Sequence, residues 1–334
     1  MRAETGSRSR VTLRDLQHPR ARFQADVRAG LSASPPRISP KYFYDDRGAL
    51  LFEEITRLDD YYLTRTEMGI LQASIGEIAQ AIGPGARLVE FGSGSGLKTR
   101  LLLRHLEQTA SYVPIDISRA QLVEVAVTLA DEFPELTVTP ICADYTGHWA
   151  LPPAGAGVRR TVAFFPGSTI GNFEPAEAAT FLRTVGTLCG RGGGMLVGVD
   201  LHKERAVLER AYDDPQGLTA AFNLNLLHRI NRECGADIDP DAFRHHAFYD
   251  ERNQRIEMRL VCERAVRFVL PGPDMSDAPT EFRFDPEDFI HTEYSYKYTI
   301  ESFRRLAEAT GWTRERVWTD DRLWFSVWLL RRTP

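Results

Sequence analysis

Between Leu88 and Asp200, five short apolar runs alternate with longer segments of helical character: LVEF (88–91), YVPIDI (112–117), LTVTPI (136–141), TVAFF (161–165) and GMLVGVD (194–200). Runs that are apolar at nearly every position suit strands buried on both faces, the condition of a parallel sheet covered by helices. Ahead of them Leu71, Ile75, Ile78 and Ile82 fall at helical spacing, with Thr64 and Glu67 set as a T-x-x-E capping box at the start. This order predicts a doubly wound α/β domain.

The pattern changes after Asp200. Residues 202–287 are richer in charge, with a helical pattern over Leu218–Cys234 and strands expected near Ala247–Asp250 and Ile256–Val269. The run LPGPDMSDAPT (270–280) reads as a loop. The α/β pattern resumes near Ile290, with a strand in HTEYSYKY (291–298), a helix over about Glu301–Thr310 and a last strand LWFSVWLL (323–330). A chain of 334 residues has material for a second lobe, built from the N-terminal segment and this insertion.

Charge and composition narrow the functional classes. A net charge of −5, with no sustained basic stripe beyond the N-terminal segment, gives no reason to expect nucleic acid. No apolar run approaches ~18 residues, so no membrane partner is expected. The start, MRAETGSRSRVTLRDLQ, lacks an apolar h-region, so it is not a secretory signal, and residues 1–13 read as a disordered tail. Cys142, Cys189, Cys234 and Cys262 lie far apart without CxxC spacing, which fits reduced thiols in the cytoplasm. His245 and His246 are adjacent rather than four apart, and HExxH is absent, so no metal is expected.

The strongest local signal is LVEFGSGSGLKTR (88–100), where a strand ends at Phe91, glycines stand at 92, 94 and 96, and a helix starts near Lys98. Glycine lets the backbone turn sharply and a ligand approach the main chain. A dinucleotide fingerprint would need glycine at position 97, which is Leu97. The spacing Glu90-x-Gly92-x-Gly94-x-Gly96 instead resembles motif I of class I S-adenosylmethionine-dependent methyltransferases. The next strand ends at Asp116, where a carboxylate can grip ribose hydroxyls. CADYTG then supplies Asp144, able to accept from an exocyclic amine, and Tyr145, able to flank an adenine ring.

Longer motifs extend the likeness. KYFYDDRGALLFEEITRLDDYYLTRTE, FFPGSTIGNF, AYDDPQGLTAAFNLNLLHRINRECGAD, IEMRL and TEYSYK occur in this order, and together they resemble the histidine Nα-methyltransferases of ergothioneine biosynthesis over about residues 26–330. The resemblance implies a monomeric enzyme with a Rossmann-like class I methyltransferase domain and an α+β substrate-binding lobe. The lobe would comprise residues 14–65 and 202–297, and the methyltransferase domain 66–201 and 298–334. The implied reaction is threefold methylation of the α-amino group of L-histidine to hercynine, with S-adenosylmethionine as co-substrate.

Position by position, the resemblance implies cofactor contacts at Gly92, Gly94, Lys98, Asp116, Asp144 and Tyr145. It implies that Asn172 and Tyr212 hold the substrate carboxylate, that Tyr44 and Tyr61 line the same pocket with Gly167 and Met258 close by, and that Glu293 and Ser295 bind imidazole. Catalysis would rest on positioning by Tyr44, Tyr61 and Asn172 rather than on an acid–base residue, since methyl transfer from a sulfonium is an in-line displacement. Tyrosine faces suit a growing quaternary ammonium. A carboxylate and a hydroxyl suit the two nitrogens of imidazole. Ser95, Gly96 and Leu97 depart from the family's commoner Thr-Ser-Glu, although Lys98 is kept, and the segment 270–288 is lengthened.

Three other functions share parts of this pattern. The same fold acting on tryptophan or tyrosine would also meet Glu293 with an N–H or O–H. A nicotinamide-dependent oxidoreductase lacks its glycine at 97. A degenerate fold serving as a binding module would have lost Asp116 and Asp144, which are present.

Overall fold

The computed structural model describes residues 11–16, 20–147, 149–272 and 278–333, and these form two compact units. One comprises the described parts of Met1–Gln17, Leu63–His202 and Lys297–Pro334, the other those of His18–Tyr62 and Lys203–Tyr296.

In the first unit a nine-stranded sheet is built around the apolar runs. Its order is Arg14–Asp15, Ile141–Cys142, Ser111–Asp116, Ala86–Phe91, Arg160–Phe165, Gly194–Asp200, Phe325–Arg332 and Trp312–Thr319, and Thr137–Val138 also pairs with Ser111–Asp116. The strands are parallel up to Gly194–Asp200, after which the C-terminal hairpin adds two antiparallel strands. Ala86–Phe91 and Gly194–Asp200 are buried at every position, as continuous hydrophobicity requires. This is the expected class I methyltransferase architecture. Strand order reverses on either side of Ala86–Phe91, so the carboxyl ends of the parallel strands meet at a switch point.

Four details differ from the sequence pattern. Pro140, which has no N–H, splits the third run into Thr137–Val138 and Ile141–Cys142. The edge strand Trp312–Thr319 alternates charged side chains toward solvent and so carries no apolar signature. Residues 1–10 of the expected tail lie outside the described residues, but Val11 makes a parallel bridge to Val138 and Arg14–Asp15 pairs with Ile141–Cys142. Residues 14–16 therefore belong to the sheet and not to the second lobe. Lastly, the helix Tyr62–Ile82 begins before Thr64, and Glu67 does not fold back as a cap.

The insertion leaves and re-enters the first unit at adjacent backbone positions. Leu201 bridges Tyr298, the Tyr298 N–H donates to the Asp200 carbonyl at 3.0 Å, and the His202 N–H donates to the Tyr298 carbonyl at 2.9 Å. Beside them the Lys297 ammonium lies 2.8 Å from Asp200 Oδ2, with both side chains wholly buried.

In the second unit, Phe289–Tyr296, Arg255–Cys262 and Phe243–Asp250 form an antiparallel sheet in that order. The helix Leu218–Cys234 packs on it and on Arg20–Leu31 and Asp46–Ile55. The strand expected over Ile256–Val269 is two strands, Arg255–Cys262 and Val266–Leu270, and the latter pairs with Thr280–Phe284. Residues 273–277 of the expected loop 270–280 lie outside the described residues.

Candidate active site

The glycine loop of the first unit follows Phe91 and turns through left-handed backbone, with φ of 77° at Gly92, 46° at Gly94 and 70° at Gly96. A β-carbon at Gly92 or Gly94 would meet nothing within 4 Å, so open space lies above both. At Gly96 it would meet Val125 Cγ1 at 2.8 Å, so this glycine serves packing. On the neighbouring strand end, Asp116 Oδ1 accepts the Ser118 N–H at 2.8 Å, and the Ser93 hydroxyl lies 3.5 Å from Oδ2. Burial raises the Asp116 pKa, against the backbone N–H groups that lower it. On the next strand end, Asp144 Oδ1 accepts from the Thr146 N–H at 2.9 Å and its hydroxyl at 2.5 Å. The Tyr145 ring stands edge-on to Phe91, Phe165 and Phe181, with centroids about 6 Å away. Burial raises its pKa, so the phenol stays neutral. An open cradle beside two carboxylates and an aromatic ring fits an adenosine-bearing sulfonium compound.

Behind the loop, Glu90 is buried. The Thr99 hydroxyl lies 2.6 and 2.7 Å from its two oxygens, and the Tyr112 hydroxyl bonds to Oε2. Burial pushes its pKa up to about 8, above the lowering effect of those hydroxyls. The folded chain thus keeps a proton that an unfolded glutamate releases near pH ~4.3. The stability this contributes is complete below that value and falls as pH rises toward about 8, by up to about 1.4 kcal/mol per pH unit. Glu90→Gln, which keeps both hydrogen bonds, is expected to flatten this decline. Urea midpoints at pH 5, 6.5 and 8 should show the variant gaining on the parent as pH rises. Parallel profiles would refute the assignment.

The turn after Arg160–Phe165 is also left-handed at two successive residues, Gly167 (φ 79°) and Ser168 (φ 58°). The Ser168 hydroxyl accepts the Asp200 N–H at 2.8 Å, which anchors the short turn Thr169–Asn172 at the same sheet edge. One group here escapes the sequence reading. Glu67, 1% exposed, accepts the Gly167 N–H at 3.0 and 2.8 Å through its two oxygens and pairs with the Lys98 ammonium. The one sequence signal for it is Gly198, interrupting an otherwise large-residue strand; a β-carbon there would land on Glu67 Oε1.

In the second unit, Phe289–Tyr296 carries a β-bulge between His291 and Glu293. His291 pairs opposite Arg259, whereas Glu293 pairs opposite Met258, so the extra residue sends the two side chains to opposite faces. The uniform alternation of HTEYSYKY is therefore broken after its first residue. Glu293 and Ser295 share a face, opposite Met258 and Ile256, and all four are buried. The Ser295 and Tyr212 hydroxyls lie 2.7 Å apart. Tyr61 stands edge-on to Tyr212 at 6.2 Å, and Phe52 links Tyr61 to Tyr44 at 6.0 and 5.5 Å. Five of the expected substrate residues, Tyr61, Tyr212, Met258, Glu293 and Ser295, are thus buried in this unit, with Tyr44 packed against Phe52.

Tyr212 is held from behind. The Asn223 amide nitrogen spends its two hydrogens on the Arg259 carbonyl (3.1 Å) and His245 Nδ1 (2.9 Å), which leaves His245 Nε2–H to donate to the Tyr212 carbonyl at 2.8 Å. Asp214 caps the helix Leu218–Cys234 through the Leu218 and Thr219 N–H groups at 3.0 and 2.7 Å, a structural role.

A family profile described as "Histidine-specific methyltransferase, SAM-dependent" matches residues 23–332. A histidine N-alpha-methyltransferase of Mycolicibacterium smegmatis is 41% identical over 302 residues, covering 89% of this chain and 91% of its own. Its counterpart from Mycobacterium tuberculosis is 39% identical, covering 90% and 91%. The ergothioneine biosynthesis protein 1 of Neurospora crassa is 31% identical over 85% of this chain, which spans 32% of that longer protein. Among the described residues, no cluster of three or more His, Cys, Asp or Glu side chains could hold a metal ion.

Proposed function

The chain belongs to the histidine-specific, S-adenosylmethionine-dependent methyltransferases, and we infer from its buried polar groups how it carries out that reaction. It methylates L-histidine in ergothioneine biosynthesis, and the proposed product is the trimethylated betaine hercynine. The observation that carries the residue-level reading is the 2.7 Å hydrogen bond between Tyr212 and Ser295 on the buried face that also bears Glu293.

Glu293 is proposed to accept from one imidazole N–H. Ser295, whose hydroxyl can donate or accept, serves the other nitrogen in either tautomer. Tyr212 and Asn172 donate to the histidine carboxylate. Each hydroxyl carries a single hydrogen, so on binding the Tyr212 hydrogen turns to the carboxylate and the Ser295 hydrogen to the ring nitrogen, in exchange for the bond between them. The faces of Tyr44 and Tyr61 attract the ammonium that forms as methyl groups accumulate.

On the cofactor side, Gly92 and Gly94 leave room for the ligand, Asp116 accepts from ribose hydroxyls, Asp144 accepts from the adenine amine and Tyr145 flanks the ring. Lys98 completes the set. When bound, S-adenosylmethionine supplies a methyl group on a sulfonium centre. The protein's task is to hold the histidine amine in line with it, so positioning carries most of the acceleration. The reading requires no nucleic acid or membrane partner, and we take the enzyme to act as a cytoplasmic monomer.

Incubation with S-adenosylmethionine and each common amino acid, followed by mass detection of added methyl groups, tests the assignment. Histidine should gain three. Methylation of tryptophan or tyrosine, with none on histidine, would overturn it.

A further inference from the structure

The Glu67 carboxylate connects two groups that the family resemblance assigns to different ligands. Lys98, on the helix Leu97–Leu103 that leaves the glycine loop, is assigned to the cofactor. Gly167, in the turn after Arg160–Phe165, is assigned to the substrate. Glu67 belongs to neither segment. It projects from the helix Tyr62–Ile82, is 1% exposed, and takes up both the Lys98 ammonium and the Gly167 amide.

Each partner explains why the other stays in place. A carboxylate buried to this degree is costly unless it is paired and hydrogen-bonded, and Lys98 supplies the compensating charge. The Gly167 N–H, donating to an ionised acceptor, makes the stronger kind of hydrogen bond. Gly198, on the facing strand Gly194–Asp200, leaves space for the carboxylate, since any side chain would begin on Glu67 Oε1. The helix itself gains no cap from Glu67.

We propose that Glu67 is a positioning residue for methyl transfer: it fixes the Lys98 ammonium for the cofactor and ties the glycine-loop helix to the Gly167 turn through one carboxylate. The proposal rests on the reading of Lys98 as a cofactor residue. It makes Glu67 matter to cofactor affinity only through Lys98, which separates it from a merely structural buried ion pair.

Calorimetric titration of the folded protein with S-adenosylhomocysteine provides the test, in the parent, Glu67→Gln, Gly198→Ala, Lys98→Ala and the Glu67→Gln/Lys98→Ala double variant. Glu67→Gln keeps the shape but removes the charge, and Gly198→Ala keeps Glu67 but displaces its carboxylate. Each should weaken binding by about tenfold or more, and the double variant should bind no more weakly than Lys98→Ala alone. Parent-like affinity in both Glu67→Gln and Gly198→Ala would reduce Glu67 to a stabilising role, even with lowered melting temperatures. Effects that multiply in the double variant would also overturn the proposal. If Glu67→Gln does not fold, Gly198→Ala and its combination with Lys98→Ala give the same two comparisons. Parent-like affinity in Lys98→Ala would instead refute the cofactor role of Lys98, and the amino acid assay on the parent decides the substrate separately.

Discussion

Replacing Glu293 by alanine is expected to raise the KM for histidine about 10- to 100-fold while S-adenosylhomocysteine affinity stays within about twofold. Glu293 is 8% exposed and stands opposite Met258, two register positions from Ser295 and its bond to Tyr212. A hydrogen bond to an ionised acceptor contributes about 1.5–3 kcal/mol, and losing it leaves an imidazole N–H facing an apolar gap. Glutamine in its place still offers a carbonyl oxygen, so Glu293→Gln should fall between parent and alanine. The expected signature is selectivity of the loss. If Glu293→Ala weakened cofactor and histidine equally, its effect would be on folding, and the proposed recognition role would fail.

Lys297→Met should be the most destabilising of the single changes considered. It leaves the wholly buried Asp200 carboxylate without the ammonium 2.8 Å away. Breaking a buried pair from one side costs about 3–5 kcal/mol, because the surviving charge remains desolvated. Removing both charges is far milder, so Lys297→Met/Asp200→Asn should recover much of the loss. Urea unfolding followed by circular dichroism gives the comparison. A double variant less stable than Lys297→Met would exclude the pair as the cause. The position of this pair gives it weight, since it stands beside the backbone pairing of Leu201 and Tyr298, where the insertion departs and returns.

Much of the fold is legible because burial on both faces imposes one signature. The runs at 88–91, 161–165 and 194–200 each become a strand, and Leu218–Cys234 is a helix bounded by Gly217 and Gly235 in left-handed conformation. The features that escape depend on partners distant in sequence. Trp312–Thr319 is a strand because Phe325–Arg332 offers it an edge. Glu67 matches a capping motif, yet the helix already begins at Tyr62, and Lys98 and the Gly167 amide draw the carboxylate inward. The glycine loop and its strand-end carboxylates stand out through spacing alone, whereas Tyr212 and Ser295 become neighbours only when an 83-residue separation closes.

The bulge in Phe289–Tyr296 bears on how far this proposed recognition segment can be transplanted. Its residues are not a self-contained cassette, because the side to which Glu293 points is decided by the irregular pairing at Thr292, whose hydroxyl reaches the Met258 carbonyl at 3.1 Å. Copied into a regular strand, HTEYSYKY would bring His291 round beside Glu293, and an internal imidazole would compete for the carboxylate proposed to take the ligand. Any engineered receptor for histidine-like molecules must therefore carry the partner strand Arg255–Cys262 along with it, so that the graft inherits its phase as well as its letters.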